Sequence, residues 1–119
     1  MTSDEFAKNF YIEKLNFLKS YFEEQPQYPS AVNAKIKEMG LSNTQQEQLK
    51  DVIDTLLTDV FYSLLLGLDG ENSIGNTQQT YKIYDEDGNL ISDCGELEAS
   101  AYEYFHEGKY ESSTFASDF

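Results

Sequence analysis

The chain has little of what most catalytic and nucleic-acid-binding sites are built from. Among its 119 residues the eight basic ones are all lysines, and there are one histidine, one cysteine and no tryptophan. A single cysteine excludes an internal disulfide and is too few for a cysteine-rich zinc site. The scarcity of basic residues argues against binding of nucleic acid through its phosphates, which needs a basic surface.

Long hydrophobic runs are missing as well. The longest apolar cluster, 60–66, is far shorter than the ~20 residues that span a bilayer. The first residues, MTSDEFAKNF, carry acids where a signal peptide carries positive charge. An anionic membrane surface would repel such a chain. We therefore expect a cytoplasmic protein.

What the chain does have is acid. Its 22 aspartates and glutamates give a net charge of −14, and its 39% hydrophobic and 14% aromatic residues are too many for a disordered acidic tail. We expect one folded domain over 1–119. Its charge would attract a basic protein, with an association rate that falls as salt rises. The alternative is that the acids serve solubility alone.

The spacing of apolar residues predicts two helices in the first third of the chain. The first covers 3–24, with Ser3 as its N-cap and acids in its first turn. A stretch with two prolines and two glutamines, 25–29, then ends this helix. A second, shorter helix covers 29–39 and ends before Gly40.

The third helix has the strongest pattern in the sequence. Ser42 and Gln45 match a capping box, which marks its start. Apolar residues then recur at three- and four-residue steps until the helix meets Gly67, which we expect to end it. This pattern predicts that the third helix is the central one.

The last third of the chain changes period. Alternating residues over 77–93, interrupted by DEDGN, predict a β-hairpin between the third and fourth helices. A fourth helix is expected from an Asp93 cap to about 107, and 111–119 to be a frayed tail. The predicted fold class is thus α+β, mainly helical.

The glycines of GLDGENSIGN, 67–76, raise the question of a ligand loop. Gly70 and Gly75 have the separation found in a phosphate loop, but no lysine follows and no helix begins there. Neither this stretch nor DEDGN fits the register of an EF-hand. A weak calcium site stays open as an alternative, and we expect no cofactor and no dedicated metal site.

A catalytic dyad is not expected either. Cys94 and His106 are twelve residues apart, which is about 18 Å along a helix. Carboxylate pairs arise by chance among so many acids. The sequence therefore predicts a protein that is not an enzyme.

Acids and a tyrosine form three candidate contact surfaces for a basic partner. They lie just past the third helix, in the hairpin turn and along the polar side of the fourth helix, where carboxylates can receive lysine or arginine. The candidate residues are Asp69, Glu71, Asp85, Glu86, Asp87, Glu96, Tyr102, Glu103 and Glu107. A solvated helix face is the alternative for the last group.

These features resemble those of the immunity proteins of bacterial polymorphic and contact-dependent toxin systems. The resemblance is one of type, carried by size, acidity and the stretches LDGENS, YDEDGN and GELEASAYEYFHEGKYE. It implies a stoichiometric inhibitor of a basic toxin, often a nuclease. A DNA mimic that occupies a DNA-binding protein and a structural adaptor remain alternatives.

Overall fold

The computed structural model describes residues 1–92 and 95–117, and all regular structure within them is helical. The five helices are α1 (Ser3–Tyr21), α2 (Ala31–Glu38), α3 (Asn43–Leu68), α4 (Glu96–His106) and α5 (Lys109–Ser117). The prediction of an α+β fold was wrong, because the described residues contain no strand and no sheet. The fold is all-α.

The expected hairpin is reduced to a single turn. Tyr84 and Leu90 form an isolated antiparallel bridge, and the Ile91 N–H donates to the Ile83 carbonyl at 2.7 Å. Another isolated bridge lies at Ile74 and Thr77. Neither bridge extends into a ladder.

Two serine hydroxyls explain why the hairpin stops there. In an antiparallel pair, Ile83 and Ile91 would exchange both of their backbone hydrogen bonds. The Ile83 N–H instead donates to Ser92 Oγ at 2.9 Å, and the Ile91 carbonyl accepts from the buried Ser3 Oγ. The second hydrogen bond of the Ile83–Ile91 pair therefore does not form, because its donor already has another acceptor.

The central helix is α1, not α3 as the apolar pattern predicted. α1 buries residues along its whole length: Ser3, Ala7, Tyr11, Lys14 and Leu18. α3 is longer but buries only Leu65 and Gly67 among its residues. The periodicity was read correctly as a helix, but it does not say which side of that helix is covered.

Aromatic side chains fill the core between α1, α3 and α4. The Tyr11 ring lies 5.3 Å from that of Phe105, edge to face, and Phe61 of α3 contacts Phe105 from the other side at 6.4 Å. Leu65 and Leu97 are fully buried beside them. Such contacts are favourable beyond the area that they bury.

One buried lysine is paired with an acid at the edge of this core. Lys14, with its side chain 7% exposed, places its ammonium 2.8 Å from Asp54 Oδ1 and 3.3 Å from the Thr58 hydroxyl. The same ammonium lies 4.7 Å from the centre of the Tyr11 ring. A buried ammonium needs such partners to offset its lost hydration.

The helix ends follow capping rules, with two corrections. Ser42 and Gln45 form the predicted capping box, with bonds of 3.2 and 2.9 Å. The N-cap of α1 is Thr2, which accepts from the Glu5 N–H, and not Ser3. α3 runs through Gly67 to Leu68, so Gly67 does not end it.

Gly67 serves close packing instead. A Cβ at this position would lie 2.5 Å from Ile74 Cγ1. Because glycine has no side chain, the loop after α3 folds back against the helix at this point. The GLDGENSIGN stretch is therefore a packed connection.

The C-terminal region contains a fifth helix that the sequence did not predict. α5 covers Lys109–Ser117, where a frayed tail was expected from 111, while 118–119 lie outside the described residues. Lys109 bonds to Asp4 and to Glu103, each at 2.7 Å, and the Tyr104 hydroxyl donates to Asp4 at 2.8 Å. This network ties α1, α4 and α5 together.

Among the described residues, no helix is both long and apolar enough to cross a membrane.

Replacing Gly67 by alanine should destabilise the fold. The overpacking cost of about 1–3 kcal/mol opposes a helix-propensity gain of at most about 1 kcal/mol. Ile74→Ala removes the atom that the added methyl group would meet, so the double variant should lose less stability than the two single variants added together. Urea unfolding of all four proteins measures this coupling, and a coupling of zero would contradict the close contact.

The Asp4 carboxylate should make the stability of the protein depend on pH. Burial alone would raise its pKa, but hydrogen bonds from Lys109 and Tyr104 lower the pKa below the ordinary 3.8. A lowered pKa gives stability that is complete above the unfolded value and is lost as pH falls through the folded value. Asp4→Asn should therefore lower Tm at neutral pH, and the gap to the parent should close below about pH 4.

Glu5→Gln is the matched control, since Glu5 is an exposed acid in the same helical turn. Its Tm should follow that of the parent over the whole pH range. A gap between Asp4→Asn and the parent that persists undiminished in acid would contradict the role given to the Asp4 carboxylate.

Candidate functional site

The N-terminus of α4 is capped by a residue that is distant in sequence. Its N-cap residue, Gly95, has φ +81° and offers no side chain. The Glu98 N–H instead donates to Asp69 Oδ2 at 3.1 Å. Asp93, the predicted cap, and Cys94 lie outside the described residues. Asp69 thus joins the end of α3 to the start of α4.

This contact accounts for an acid at an unfavourable place. Asp69 is the C-cap of α3, where the helix dipole disfavours negative charge. Its carboxylate also faces the N-terminus of α4, where the dipole favours negative charge and unpaired N–H groups need an acceptor. Asp69 is only 6% exposed, so its side chain is used inside the protein.

A groove lies between the end of α3 and the outer side of α4. Its volume is about 430 Å³, and it is lined by Tyr62, Gly95, Glu98, Ala99, Tyr102, Glu103 and Glu107. We call it the acidic groove. Ala99, Tyr102 and Glu103 are three or four positions apart on α4, and the C-cap residue Glu107 follows Glu103 by four, which places these four residues along one side of the helix.

Two tyrosines give the acidic groove an aromatic wall, and His106 packs against both of them. The Tyr62 and His106 rings meet edge to face with centres 4.5 Å apart, and Tyr102 lies 5.4 Å from His106. Burial and the negative charge of Glu98 raise the pKa of Tyr62. The Tyr62 phenol is therefore uncharged at neutral pH. Tyr102 remains 49% exposed and accessible from solvent.

Three carboxylates line the acidic groove, and they differ in their partners. Glu103 bonds to Lys109 at 2.7 Å, a lysine that it shares with Asp4. Glu98 and Glu107 form no ion pair with any other described residue. The groove thus keeps negative charge that Lys109 does not neutralise.

Aromatic faces beside carboxylates are suited to a cation. An ammonium or guanidinium group is attracted by the face of a tyrosine ring within about 6 Å, and a carboxylate accepts its hydrogen bonds. The acidic groove brings both kinds of group together on one helix. It can receive a lysine or arginine side chain of another molecule.

The structure brings some predicted site residues together here and leaves others apart. Tyr102, Glu103 and Glu107 line the acidic groove. Glu71 is exposed, with a carboxylate oxygen within 4.8 Å of oxygens of Asp69 and Glu98. Glu96 is exposed in the first turn of α4 but does not line the groove.

The three carboxylates of Asp69, Glu71 and Glu98 are the only described group close enough together to hold a metal ion. One Asp69 oxygen already accepts the helix N–H of Glu98. The cluster contains no histidine, and carboxylate oxygens are the ligands that hard cations such as Ca²⁺ prefer.

The acidic turn after Tyr84 is a separate feature. Asp85 Oδ1 accepts from the N–H groups of Asp87 and Asn89, both at 3.0 Å, and Oδ2 lies 2.6 Å from the Met1 ammonium. That ammonium first, and then the bonds from Asn89, hold the pKa of Asp85 far below its usual range. Glu86 and Asp87 are exposed. None of the three lines the acidic groove.

Sequence reasoning missed Tyr62 and Glu98 as groove residues. At about 100° per residue, Glu98 and Tyr102 lie past one edge of the α4 apolar face and Glu103 lies past the other. Both edges belong to one groove because the small residue Ala99 lies between them. Tyr62 departs from the apolar stripe of α3, and this departure was the one signal that could have found it.

Comparison with known proteins identifies no relative. No protein-family model matches the chain, and neither a curated protein nor a solved structure does.

Removing the Asp69 carboxylate should destabilise α4 more than removing its neighbour. Asp69→Ala leaves the Glu98 N–H without its acceptor and should cost about 1–2 kcal/mol, as lost helix caps do. Glu71→Ala, an exposed acid two residues away, should cost little. Amide hydrogen exchange should show faster opening of the first turn of α4 in Asp69→Ala alone, and equal exchange in both variants would contradict the assigned cap.

Proposed function

We propose that this protein is a binding protein for a basic protein partner, and that the acidic groove receives a lysine or arginine side chain of that partner. The observation that carries the proposal is the pairing of Tyr62 and Tyr102 with three glutamates around one groove. The net charge of −14 supports it by drawing a basic partner in from a distance.

The contacts of the acidic groove support a cationic guest in particular. Glu98 and Glu107 have no cation of their own among the described residues, and the exposed half of Tyr102 lies beside them. An anionic guest would meet uncompensated carboxylates. An apolar guest would leave those carboxylates without hydrogen bonds, which is unfavourable.

The narrower proposal is that the partner is a toxin and that this protein is its cytoplasmic immunity protein. Its support is the resemblance in size, acidity and tyrosine content, together with a groove for basic side chains. An immunity protein acts by shielding the toxin rather than by chemistry, so the proposal involves no catalytic residue. A gene for a basic, toxin-like protein beside this one would favour it, whereas a metabolic operon would count against it.

Short cationic peptides test the acidic groove directly. We expect tetra-arginine and tetra-lysine to bind and to shift the amide resonances of the groove residues of α4. Tyr102→Ala should weaken binding about fivefold, the equivalent of about 1 kcal/mol for one cation–π contact. Glu107→Gln should weaken binding as well, since it removes a carboxylate of the groove. Raising the salt concentration should weaken the binding of both peptides to the parent, because salt screens exposed charges.

Matched controls separate the acidic groove from general acidity. Tyr28→Ala removes another tyrosine, 86% exposed and outside the groove lining, and Glu86→Gln removes the same charge as Glu107→Gln. Tyr28→Ala and Glu86→Gln should leave the affinity close to that of the parent. If all four variants bind equally, or if binding ignores salt, the proposed site is wrong.

A further inference from the structure

The outer side of α3 carries an exposed apolar row. Val52 and Leu56 are 62% and 54% exposed, and Val60 and Leu64 continue the row at 42% and 41%. The four residues are spaced four apart, so they lie beside one another on successive turns. Exposed apolar surface that is contiguous in this way marks an interaction surface more often than isolated apolar residues do.

This row lies in a sector of α3 without charge. At about 100° per residue, the sector holds Gln45, Gln46, Leu49, Val52, Ile53, Leu56, Leu57, Val60, Ser63 and Leu64. The charged residues of α3 lie outside it, with Lys50 and Asp59 at its two edges and Glu47, Asp51 and Asp54 farther round the helix. A quarter of the whole chain is charged, so a sector of this length without charge is a distinct surface. It offers a basic partner no carboxylate.

The uncharged sector is complementary to itself. Its side chains form two neighbouring rows with steps of four residues, 52–64 and 49–57. Rows of this kind on two helices interlock at about −50°, the commonest helix packing. A two-fold axis would set the same rows against each other. Each apolar row would then face apolar side chains, and no acid of one copy would face an acid of the other across the sector.

A groove beside α3 extends this surface. It lies between α1 and α3, is lined by Asn9, Phe10, Glu13, Phe17 and Phe61, and has a volume of about 410 Å³. Phe61 lies one turn from Leu57 and from Leu64 on α3, so the groove borders the sector. The row from 49 to 64 is only about 23 Å long at 1.5 Å per residue. A row of this length favours a small interface.

We propose that two copies of this chain associate through the uncharged sector of α3 to form a weak symmetric dimer. Each copy presents to the other an apolar helix face whose own sector holds no acid. The short row and the net charge of −14 on each copy favour weak association, so the dimer is sought at dissociation constants on the order of micromolar and above. This association is separate from the binding of a basic partner at the acidic groove.

Sedimentation of the full chain between about 1 and about 500 µM tests the dimer, since this range brackets micromolar affinity. The parent should pass from monomer to dimer across the range. Leu56→Lys, and in a second variant Val52→Lys, should weaken association at least about tenfold by burying a charge. Because lysine lowers the net negative charge, the loss could not come from added repulsion between copies. Thr55→Lys, an exposed position off the row, should dimerise like the parent.

Salt gives a readout that is independent of the acidic groove. Screening reduces repulsion between two acidic copies, so salt should strengthen the dimer while it weakens peptide binding. A parent that remains monomeric over the whole range overturns the proposal. A dimer that persists in both folded lysine variants overturns the assignment to α3. Failure of peptide binding alone bears only on the acidic groove.

Discussion

The acidic groove depends on the hydrogen bond between the Asp69 carboxylate and the Glu98 N–H. α4 follows a loop of more than twenty residues and begins at a glycine that provides no cap. The carboxylate gives the first turn its acceptor and anchors that turn to the end of α3. Because Tyr62 lies on α3 and the other groove side chains on or next to α4, this anchor and the packing of Phe61 against Phe105 together hold the two walls.

The two sides of α3 have opposite chemistry. Near its C-terminus, α3 faces α4 with Tyr62 and Leu65 and borders a groove that retains negative charge. Its outer side presents leucines and valines without a charge. A chain with many acids and few lysines can keep both surfaces distinct only by excluding acids from one of them, and the sequence of α3 does this over five turns.

The sequence predicted the helices better than it predicted their arrangement. The capping box at Ser42 and the apolar period of α3 are local, and the structure confirms both. Which helix is central depends on contacts distant in sequence, such as Tyr11 with Phe105. The hairpin prediction was wrong for the same reason: Ser3, nearly ninety residues away, donates to the Ile91 carbonyl, which the predicted ladder would have used. Of the predicted site residues, Tyr102, Glu103 and Glu107 came together, while Asp69 proved to be buried.

The few lysines explain why so much acid stays uncompensated at the surface. Lys14 is buried and pairs with the half-exposed Asp54, and Lys109 is held between Asp4 and Glu103. Lys37 donates to the Glu24 carbonyl just past the end of α1. These lysines hold helices together and are not spread among the surface acids. Since lysines with structural roles cannot screen Glu98 and Glu107, the groove on α4 keeps the negative field that a cationic side chain would meet.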